Sequence, residues 1–336
     1  MKRVTLKDIA NRLSLSVSTV SRALSNDVNI RRETREKILR AAEEMNYKRN
    51  TVAAHLRNGY TGAIGVVVDE MFTPYVAQAL RGLQEVMQRE GISLLIACSY
   101  HDPAQEAQNL RAMESAQVDG LIVCPCHDSA NRDIMRRLSE RGVPIVFFGR
   151  NPGGIKASEV VANDYSKAFY LVDHIAKLGK KRIVHVTGDV ESLYFNNISK
   201  AYADAVARNG LMPDGRYVIR TKPTFEGGVS AVDEMMRRGL EFDAVFAAAD
   251  LQAIGVMNRL LEKGFRIPGD VSVAGYAGSY LSKMVFPQLT TVEPPLVEMG
   301  EKAGYLLLEK IRDPEAPNRS VTVDARILLR NSTHIP

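Results

Sequence analysis

Residues 6–26 constrain the fold more than any other stretch of this sequence. Apolar residues recur there at helical spacing, at Leu6, Ile9, Ala10 and Leu13. Thr5 and Asp8 have the spacing of a capping box for this helix. Ser16 is placed to cap a second helix, with an inner stripe of Val20, Ala23 and Leu24. The segment is therefore predicted to form two short helices joined by a tight turn.

The second helix leaves a polar face uncovered, formed by Val17, Ser18, Ser21 and Arg22. A third helix is predicted over residues 32–45, with an inner face of Thr34, Ile38, Ala41, Ala42 and Met45. Three such helices enclose a core that suits only a small module. The alternative is an ordinary helical hairpin with a solvated polar face.

Positive charge is concentrated in the first part of the chain. Residues 1–60 contain 13 Lys and Arg against 6 Asp and Glu, whereas the other 276 residues contain 31 against 33. A basic head on a nearly neutral body is typical of a nucleic-acid-binding module joined to a second domain.

These features resemble the N-terminus of the LacI/GalR family of bacterial transcription regulators. The resemblance extends over the whole chain, and its motifs are residues 5–10, residues 16–22, Thr34-Arg35 and Asn46-Tyr47. Ser14 departs from the family's usual turn Gly, and Arg31 from its usual Ser cap on the third helix. The family fold that this implies is an N-terminal all-α helix-turn-helix domain followed by a two-lobed α/β domain of the periplasmic-binding-protein type, with parallel sheets.

The resemblance implies that the second helix lies in the major groove of DNA. Val17 and Ser18 occupy the family's base-reading pair, and Arg22 is suited to a bidentate contact with guanine. Phosphate contacts are expected from Ser16, Thr19, Ser21, Arg31, Thr34 and Tyr47. Thr5 and Leu6 complete the predicted DNA-binding set of this module.

Residues 47–60 are predicted to form a hinge, because two helical turns are marginal in water when isolated. In the family such segments become helical on DNA and enter the minor groove, which implies roles for Asn50, Ala53 and Leu56. Leu56 would unstack the central base step, so a pseudo-palindromic operator with a flexible pyrimidine–purine centre is expected. A flexible linker is the alternative, and Ala54 departs from the basic residue that is common at its position.

The remaining sequence alternates apolar strand-length runs with helical patterns, which predicts parallel sheets covered by helices. Eight strands are expected, over residues 63–68, 92–97, 121–124, 144–148, 159–162, 183–187, 244–247 and 271–275. The predicted domains are residues 1–46 (helix-turn-helix), 47–60 (hinge) and 61–336 (effector binding), with lobe 1 at about 61–160 and 292–320 and lobe 2 at about 161–291 and 321–336.

A ligand of such lobes is expected at the carboxyl ends of the strands. The sequence lacks three charged residues that sugar-binding family members tend to use, since Gly149, Ile198 and Ala277 occupy their positions. The candidate effector residues are Phe72, Tyr75, Arg150, Phe195, Asn196, Asn197, Asp250 and Tyr276, with Tyr194, Phe225 and Tyr280 as further aromatic candidates. Packing between or within lobes is the alternative for each aromatic, helix capping for Asp250, and pairing with a carboxylate for Arg150.

Three cysteines raise the possibility of a thiol or metal sensor at Cys124 and Cys126, with Cys98 and His101 nearby. Against it, alternate residues on a strand point to opposite faces, and cysteines are common in cytosolic cores. No nucleophile–base spacing or phosphate-cradling Gly loop is present, so neither an enzyme nor a bound cofactor is expected.

The sequence therefore predicts a ligand-responsive DNA-binding regulator, acting as a homodimer on an operator with a small-molecule effector, a sugar or a sugar derivative among the candidates. Neither a membrane span nor a signal peptide is recognised, so a cytoplasmic location is expected. The dimer contact is predicted in the hinge-proximal lobe, through the helix at residues 74–89, whose apolar stripe could equally be lobe core. The rival from another class is a solute-binding receptor with an incidental helical head.

Overall fold

Two units make up the chain, Met1–Tyr60 and Thr61–Pro336. The computed structural model describes residues 4–24, 27–45, 47, 60–71, 74–127, 129–189, 193–211 and 214–334. Among these residues, no helix combines the length and the apolar character needed to cross a membrane.

The first unit is a three-helix module, as the periodicity predicts. Its helices are α1 (Leu6–Leu13), α2 (Val17–Leu24) and α3 (Arg32–Glu44). Both halves of the capping box are present, because the Thr5 backbone N–H donates to the Asp8 carboxylate at 2.8 Å and the Asp8 N–H donates to the Thr5 hydroxyl. The core is small, with buried members Ile9, Ala10, Val20, Ala23, Ile38, Ala41 and Ala42.

Ser14 ends α1 in the left-handed conformation, with φ 54° and ψ 40°. Its N–H donates to the carbonyls of Ala10 and Asn11, which closes the helix and starts the turn to α2. Left-handed backbone disfavours residues with a Cβ. The departure from Gly at this position therefore costs stability.

Ser14→Gly is expected to stabilise the module by about 0.5–1 kcal/mol, since removal of the Cβ strain exceeds the extra backbone entropy of Gly in the unfolded state. Hydrogen exchange of the α1–α3 amides, followed by mass spectrometry in the full chain, measures this directly. Ser14→Ala keeps the Cβ and is the matched control. Equal protection in both variants would contradict the assignment.

The second unit contains two six-stranded sheets, one in each lobe. The first has the order β11-β5-β4-β3-β1-β2 and is wholly parallel. Its strands are β1 (Ala63–Val68), β2 (Ser93–Cys98), β3 (Gly120–Val123), β4 (Ile145–Phe148), β5 (Ser158–Ala162) and β11 (Ser320–Val323). This sheet defines lobe 1.

The second sheet has the order β12-β10-β9-β8-β6-β7 and is parallel except for the antiparallel edge strand β12. Its strands are β6 (Ile183–Gly188), β7 (Val218–Thr221), β8 (Ala244–Ala247), β9 (Ser272–Tyr276), β10 (Thr290–Glu293) and β12 (Arg326–Leu328). This sheet defines lobe 2. The helices of the two lobes are α4 (Pro74–Arg89), α5 (Pro103–Ser115), α6 (Arg132–Glu140), α7 (Asp164–Lys177), α8 (Leu193–Arg208), α9 (Phe225–Arg237), α10 (Asp250–Glu262) and α11 (Leu296–Arg312).

Each lobe is a layered α/β sandwich, which confirms the predicted fold class. The chain crosses between lobes after β5, after β10 and after β11. Because β11 belongs to the first sheet, the third crossing lies a few residues later than the sequence placed it. Four short strands, β7, β10, β11 and β12, are absent from the strands expected from sequence.

The helix α4 packs against α11 within lobe 1 and buries Val76, Leu83, Val86 and Met87. Gly82 and Gly300 bring the two helices together, because a Cβ on either would overlap a backbone carbonyl oxygen of the other helix. The apolar stripe of α4 is thus lobe core, which is the alternative that the sequence left open for it, and a dimer contact through the outer face of this helix stays a prediction.

Candidate DNA-reading face and effector cleft

The outer face of α2 presents the residues that sequence reasoning assigned to base reading. Val17 is 44% exposed, an unusual position for a valine in so small a module, and Ser18 is also exposed. Val20 and Ala23, on the opposite side of α2, are buried. Methyl groups and short hydroxyls on an uncovered helix can contact base edges in a major groove.

Ser16 caps α2, as predicted, because its hydroxyl oxygen accepts the Thr19 backbone N–H at 3.1 Å. The same hydroxyl lies 2.8 Å from the hydroxyls of Ser18 and Thr19. Four hydroxyl residues, counting the partly buried Ser21, therefore cluster along the first turns of α2. Hydroxyls at a helix N-terminus are suited to phosphate oxygens.

Arg22 extends from this face with 67% of its side chain exposed and its Nε 4.0 Å from an Asp27 carboxylate oxygen. The Asn29 backbone N–H is the main cause of the lowered pKa of Asp27. Arg35 donates to the carbonyls of Asp27 and Ile30 and so fixes the loop that leads into α3. A long, weakly held guanidinium can turn toward a guanine.

The other sequence-predicted DNA residues have different surroundings. Arg31 is exposed just before α3, and its side chain does not cap that helix. Thr34 is partly buried, and Leu6 and Tyr47 pack against the module's core. Asn50, Ala53 and Leu56 lie outside the described residues.

Tyrosines of both lobes lie near the cleft, since the charge of Asp164 in lobe 2 acts on the Tyr75 hydroxyl in lobe 1. Tyr75, at the start of α4, contacts Phe148 edge-on with ring centroids 6.0 Å apart. A Cβ on Gly149 would lie 3.1 Å from the Tyr75 hydroxyl, so the tyrosine occupies the space that a side chain at this position would need.

Lobe 2 contributes Tyr276, at the end of β9, and Asp164, the first residue of α7. The Tyr276 hydroxyl donates to a carboxylate oxygen of Asp164 at 2.7 Å, and Tyr194 meets the Tyr276 ring edge-on at 6.0 Å. Burial raises the pKa of Asp164 to about 7, although the Tyr276 hydrogen bond opposes that shift. Burial and the charge of Asp164 raise the pKa of Tyr75 in the other lobe.

Asp164→Asn is expected to raise the unfolding free energy at pH 8 by about 1 kcal/mol. This is less than the full pKa shift of Asp164 would give, because the side chain is partly exposed and solvent screens its charge. The folded protein binds this proton up to pH of about 7, whereas the unfolded chain releases it near pH 3.8. Stability is therefore lost as the pH rises between these values. Thermal unfolding at pH 5 and pH 8 tests the sign, and a variant less stable than the parent at pH 8 would contradict it.

Arg150 is held by Asp69, with a nitrogen–oxygen distance of 2.5 Å. The two side chains are only 10% and 13% exposed, and His101 approaches the same carboxylate at 3.7 Å. Arg150 thus has the carboxylate partner that sequence reasoning gave as its alternative role.

Asp250 is buried and joins the loop after β9 to β10. Its carboxylate accepts the Ser279 backbone N–H and the Thr291 hydroxyl, both at 2.6 Å. Burial raises the pKa of Asp250 to about 7. Its side chain makes no capping hydrogen bond to α10. The loop that it holds contains Ala277 at φ 108°.

The remaining effector candidates have different surroundings. Phe195 is buried in the core of lobe 2 against Gly188, and Ile198 lies in the same core. Asn196 and Asn197 are exposed on α8. Phe72 lies outside the described residues.

Asp164 was missed by the sequence reasoning. The sequence contained a signal for it, because Asp164 is an acidic residue two positions after β5, at the carboxyl end of a predicted strand. That strand end was treated as a crossing between lobes and not as part of a site.

The cysteines are buried in lobe 1. Burial raises the pKa of Cys126 to about 12 and that of Cys124 further. High pKa values disfavour the thiolate needed for redox or metal chemistry. Among the described residues, no group of three or more His, Cys, Asp or Glu could hold a metal ion.

Comparison with known proteins agrees with both units. The family model described as bacterial regulatory proteins, lacI family, matches residues 5–50, and a periplasmic binding protein-like domain matches residues 172–333. The ribose operon repressor of Haemophilus influenzae is 28% identical over 331 residues, which cover 98% of each chain.

Solved structures share the whole architecture. A complex of the transcriptional regulator CelR with cellobiose has a TM-score of 0.74 and 26% identity, covering 98% of this chain and 100% of that one. The lac repressor dimer bound to operator and the anti-inducer ONPF has a TM-score of 0.88 and 23% identity, covering 99% of both chains. The helix-turn-helix and two-lobed fold predicted from sequence is therefore confirmed.

Proposed function

We propose that the chain is a DNA-binding transcriptional repressor of the LacI family with an effector-binding domain. It binds a pseudo-palindromic operator as a homodimer, under the control of a small molecule in its cleft. The observation that supports this most is the uncovered face of α2, with Val17, Ser18 and Arg22 exposed above a buried inner stripe. On this proposal the protein acts on DNA in the bacterial cytoplasm.

A dimer follows from the single reading helix in each chain, because a palindrome needs two. Exposed apolar residues supply surface for it. Leu95 and Ile96 are 39% and 45% exposed on β2, an edge strand whose outer side pairs with no described strand. In lobe 2, Met284 and Phe286 are 72% and 88% exposed. Exposed apolar edges of this kind favour association.

The coupling between effector and DNA would pass through residues 47–60. A segment of this length gains helical structure only with support from a surface, here the minor groove and the second protomer's hinge. A ligand that changes the angle between the lobes would alter the spacing of the two hinges. A coupling free energy of about 1–3 kcal/mol is enough to change DNA affinity five- to 150-fold.

The effector is proposed to be a sugar or a sugar derivative. CelR, with a similar overall fold and 26% identity, is solved with cellobiose. Tyr75 and Tyr194 are partly exposed in the cleft of this chain, and aromatic rings of this kind suit the apolar faces of a sugar ring. Tyr276 is fully buried and contributes through its hydrogen bond to Asp164.

Ile96→Glu tests the dimer, because a charge on the β2 edge would have to be desolvated in the interface. Light scattering is expected to show a dimer for the parent chain and a monomer for the variant, with operator affinity at least about tenfold lower. Gln88→Glu, at an exposed position of α4, is the control. A variant that remains dimeric would remove β2 from the interface.

A further inference from the structure

The cleft carries more negative than positive charge. Arg150 lies at the strand ends, and its side chain is 10% exposed. Its charge is neutralised by Asp69, with a nitrogen–oxygen distance of 2.5 Å. Lys222 and Lys283 lie at other strand ends but are exposed. Among the described residues, every buried cation of this cleft already has a carboxylate partner, so none is available to a phosphate or carboxylate ligand.

Within the part of the chain that the structure describes, Asp164 has no cationic partner. Its carboxylate accepts the Tyr276 hydroxyl, and no Lys, Arg or His of the described ranges forms an ion pair with it. The side chain is nevertheless partly exposed, at the point where α7 begins beside the cleft. A carboxylate in such surroundings is costly unless a cation joins it.

Aromatic rings surround this carboxylate from several elements. Tyr276 hydrogen-bonds to it from β9, and Tyr194 packs edge-on against Tyr276 from α8. The negative charge of Asp164 acts on the hydroxyls of Tyr75, Tyr194 and Tyr276 alike. Aromatic faces and a carboxylate together are the groups that recognise organic cations.

A second acidic residue near the cleft is already satisfied. Asp250 is buried, and its carboxylate accepts hydrogen bonds from Ser279 and Thr291. Asp164, and not Asp250, is therefore the carboxylate open to a positive ligand.

We propose that the effector is an amino sugar whose protonated amine pairs with Asp164 while its ring lies against the partly exposed Tyr75 and Tyr194. This inference rests on the proposed function, since it names the ligand class of the same cleft. The ammonium group donates to the carboxylate oxygen that Tyr276 leaves available, and the ring hydroxyls meet the tyrosine hydroxyls. Neutral sugars lose the ion pair, and sugar phosphates add a charge that the cleft repels.

The test is isothermal titration of the full chain with three matched series: glucosamine, galactosamine and mannosamine, their neutral parent hexoses, and the 6-phosphates of those hexoses. At least one amine is expected to bind, at least about tenfold more tightly than its neutral parent, with the phosphates weakest. Binding by no amine, or tighter binding by a neutral hexose or a phosphate, would overturn the proposal.

Asp164→Asn keeps an acceptor for Tyr276 and removes the charge, and it is expected to weaken amine binding about 30-fold or more, because one partner of a buried charge pair is lost. Asp233→Asn, which removes a carboxylate from the surface pair with Arg259, is the matched control and should bind as the parent does. Thermal unfolding checks that both variants fold. Unchanged amine affinity in the folded Asp164→Asn variant would overturn the assignment.

Failure of this inference and failure of the proposed function give different results. If a neutral hexose or a phosphate binds the cleft and changes operator affinity, the regulator stands and the amine does not. If the full chain binds no duplex DNA, the regulator itself fails, whatever the titrations show.

Discussion

Ile38→Ala is expected to unfold the three-helix module and to lower its affinity for operator DNA about 100-fold or more. Loss of a buried Ile side chain costs about 2–5 kcal/mol of unfolding free energy, and so small a core supplies little more than that. Ile38 is fully buried and contacts the inner stripes of α1 and α2. The second unit, with its own cores, is expected to melt at the parent's temperature. Anisotropy of a labelled duplex and calorimetry of the same sample measure both effects.

Leu39→Ala is the control, because Leu39 is the next residue of α3 and is 48% exposed. It is expected to change DNA affinity less than about twofold, in keeping with surface substitutions. Equal losses in the two variants, or a lowered melting temperature of the second unit in Ile38→Ala alone, would contradict the organisation into two units.

Gly300→Ala is expected to have the largest effect on lobe 1, with a loss of about 3 kcal/mol or more in its unfolding free energy, the upper part of the range for overpacking. Its Cβ would overlap the Ala79 carbonyl oxygen and approach the Leu83 backbone nitrogen at 3.0 Å. Backbone atoms cannot rotate away, so α4 and α11 must separate and expose the residues between them. Urea unfolding followed by circular dichroism gives the change.

Gly215→Ala is the matched glycine control, since its Cβ would meet no atom within 4 Å and its φ is not left-handed. This variant should unfold at the parent's urea concentration or slightly above it. If Gly300→Ala also left the unfolding free energy of lobe 1 unchanged, α4 and α11 could not approach each other as closely as described.

The DNA-binding unit was predictable from sequence because its determinants are local. Thr5, Asp8 and Ser16 act on backbone groups within three residues, and the apolar stripe of each helix follows its own periodicity. Longer strands were also recognised, since buried parallel strands are continuous apolar runs. The short strand β10 was not, because Thr290 and Thr291 interrupt the apolar pattern and are buried with tertiary hydrogen bonds.

The effector cleft was less predictable because distant segments assemble it. Sequence position placed Phe195 and Asp250 at strand ends, but packing turned Phe195 into the lobe core and the β9 loop occupied the Asp250 carboxylate. Asp164 joins the site only because α7 begins beside Tyr276, a separation of 112 residues along the chain. Pairing of Arg150 with Asp69, 81 residues apart, was equally invisible to local pattern.

The most direct measurement of the central claim is the selection of duplexes by the full chain from a randomised pool, followed by the salt dependence of binding to the selected sequence. We expect a pseudo-palindrome with a pyrimidine–purine step at its centre, and a log–log salt slope of about −5 or steeper, as several phosphate contacts require. Arg22→Ala should relax one symmetric base position and cost about 1–3 kcal/mol per half-site. An unenriched pool with a salt slope near zero would contradict the account.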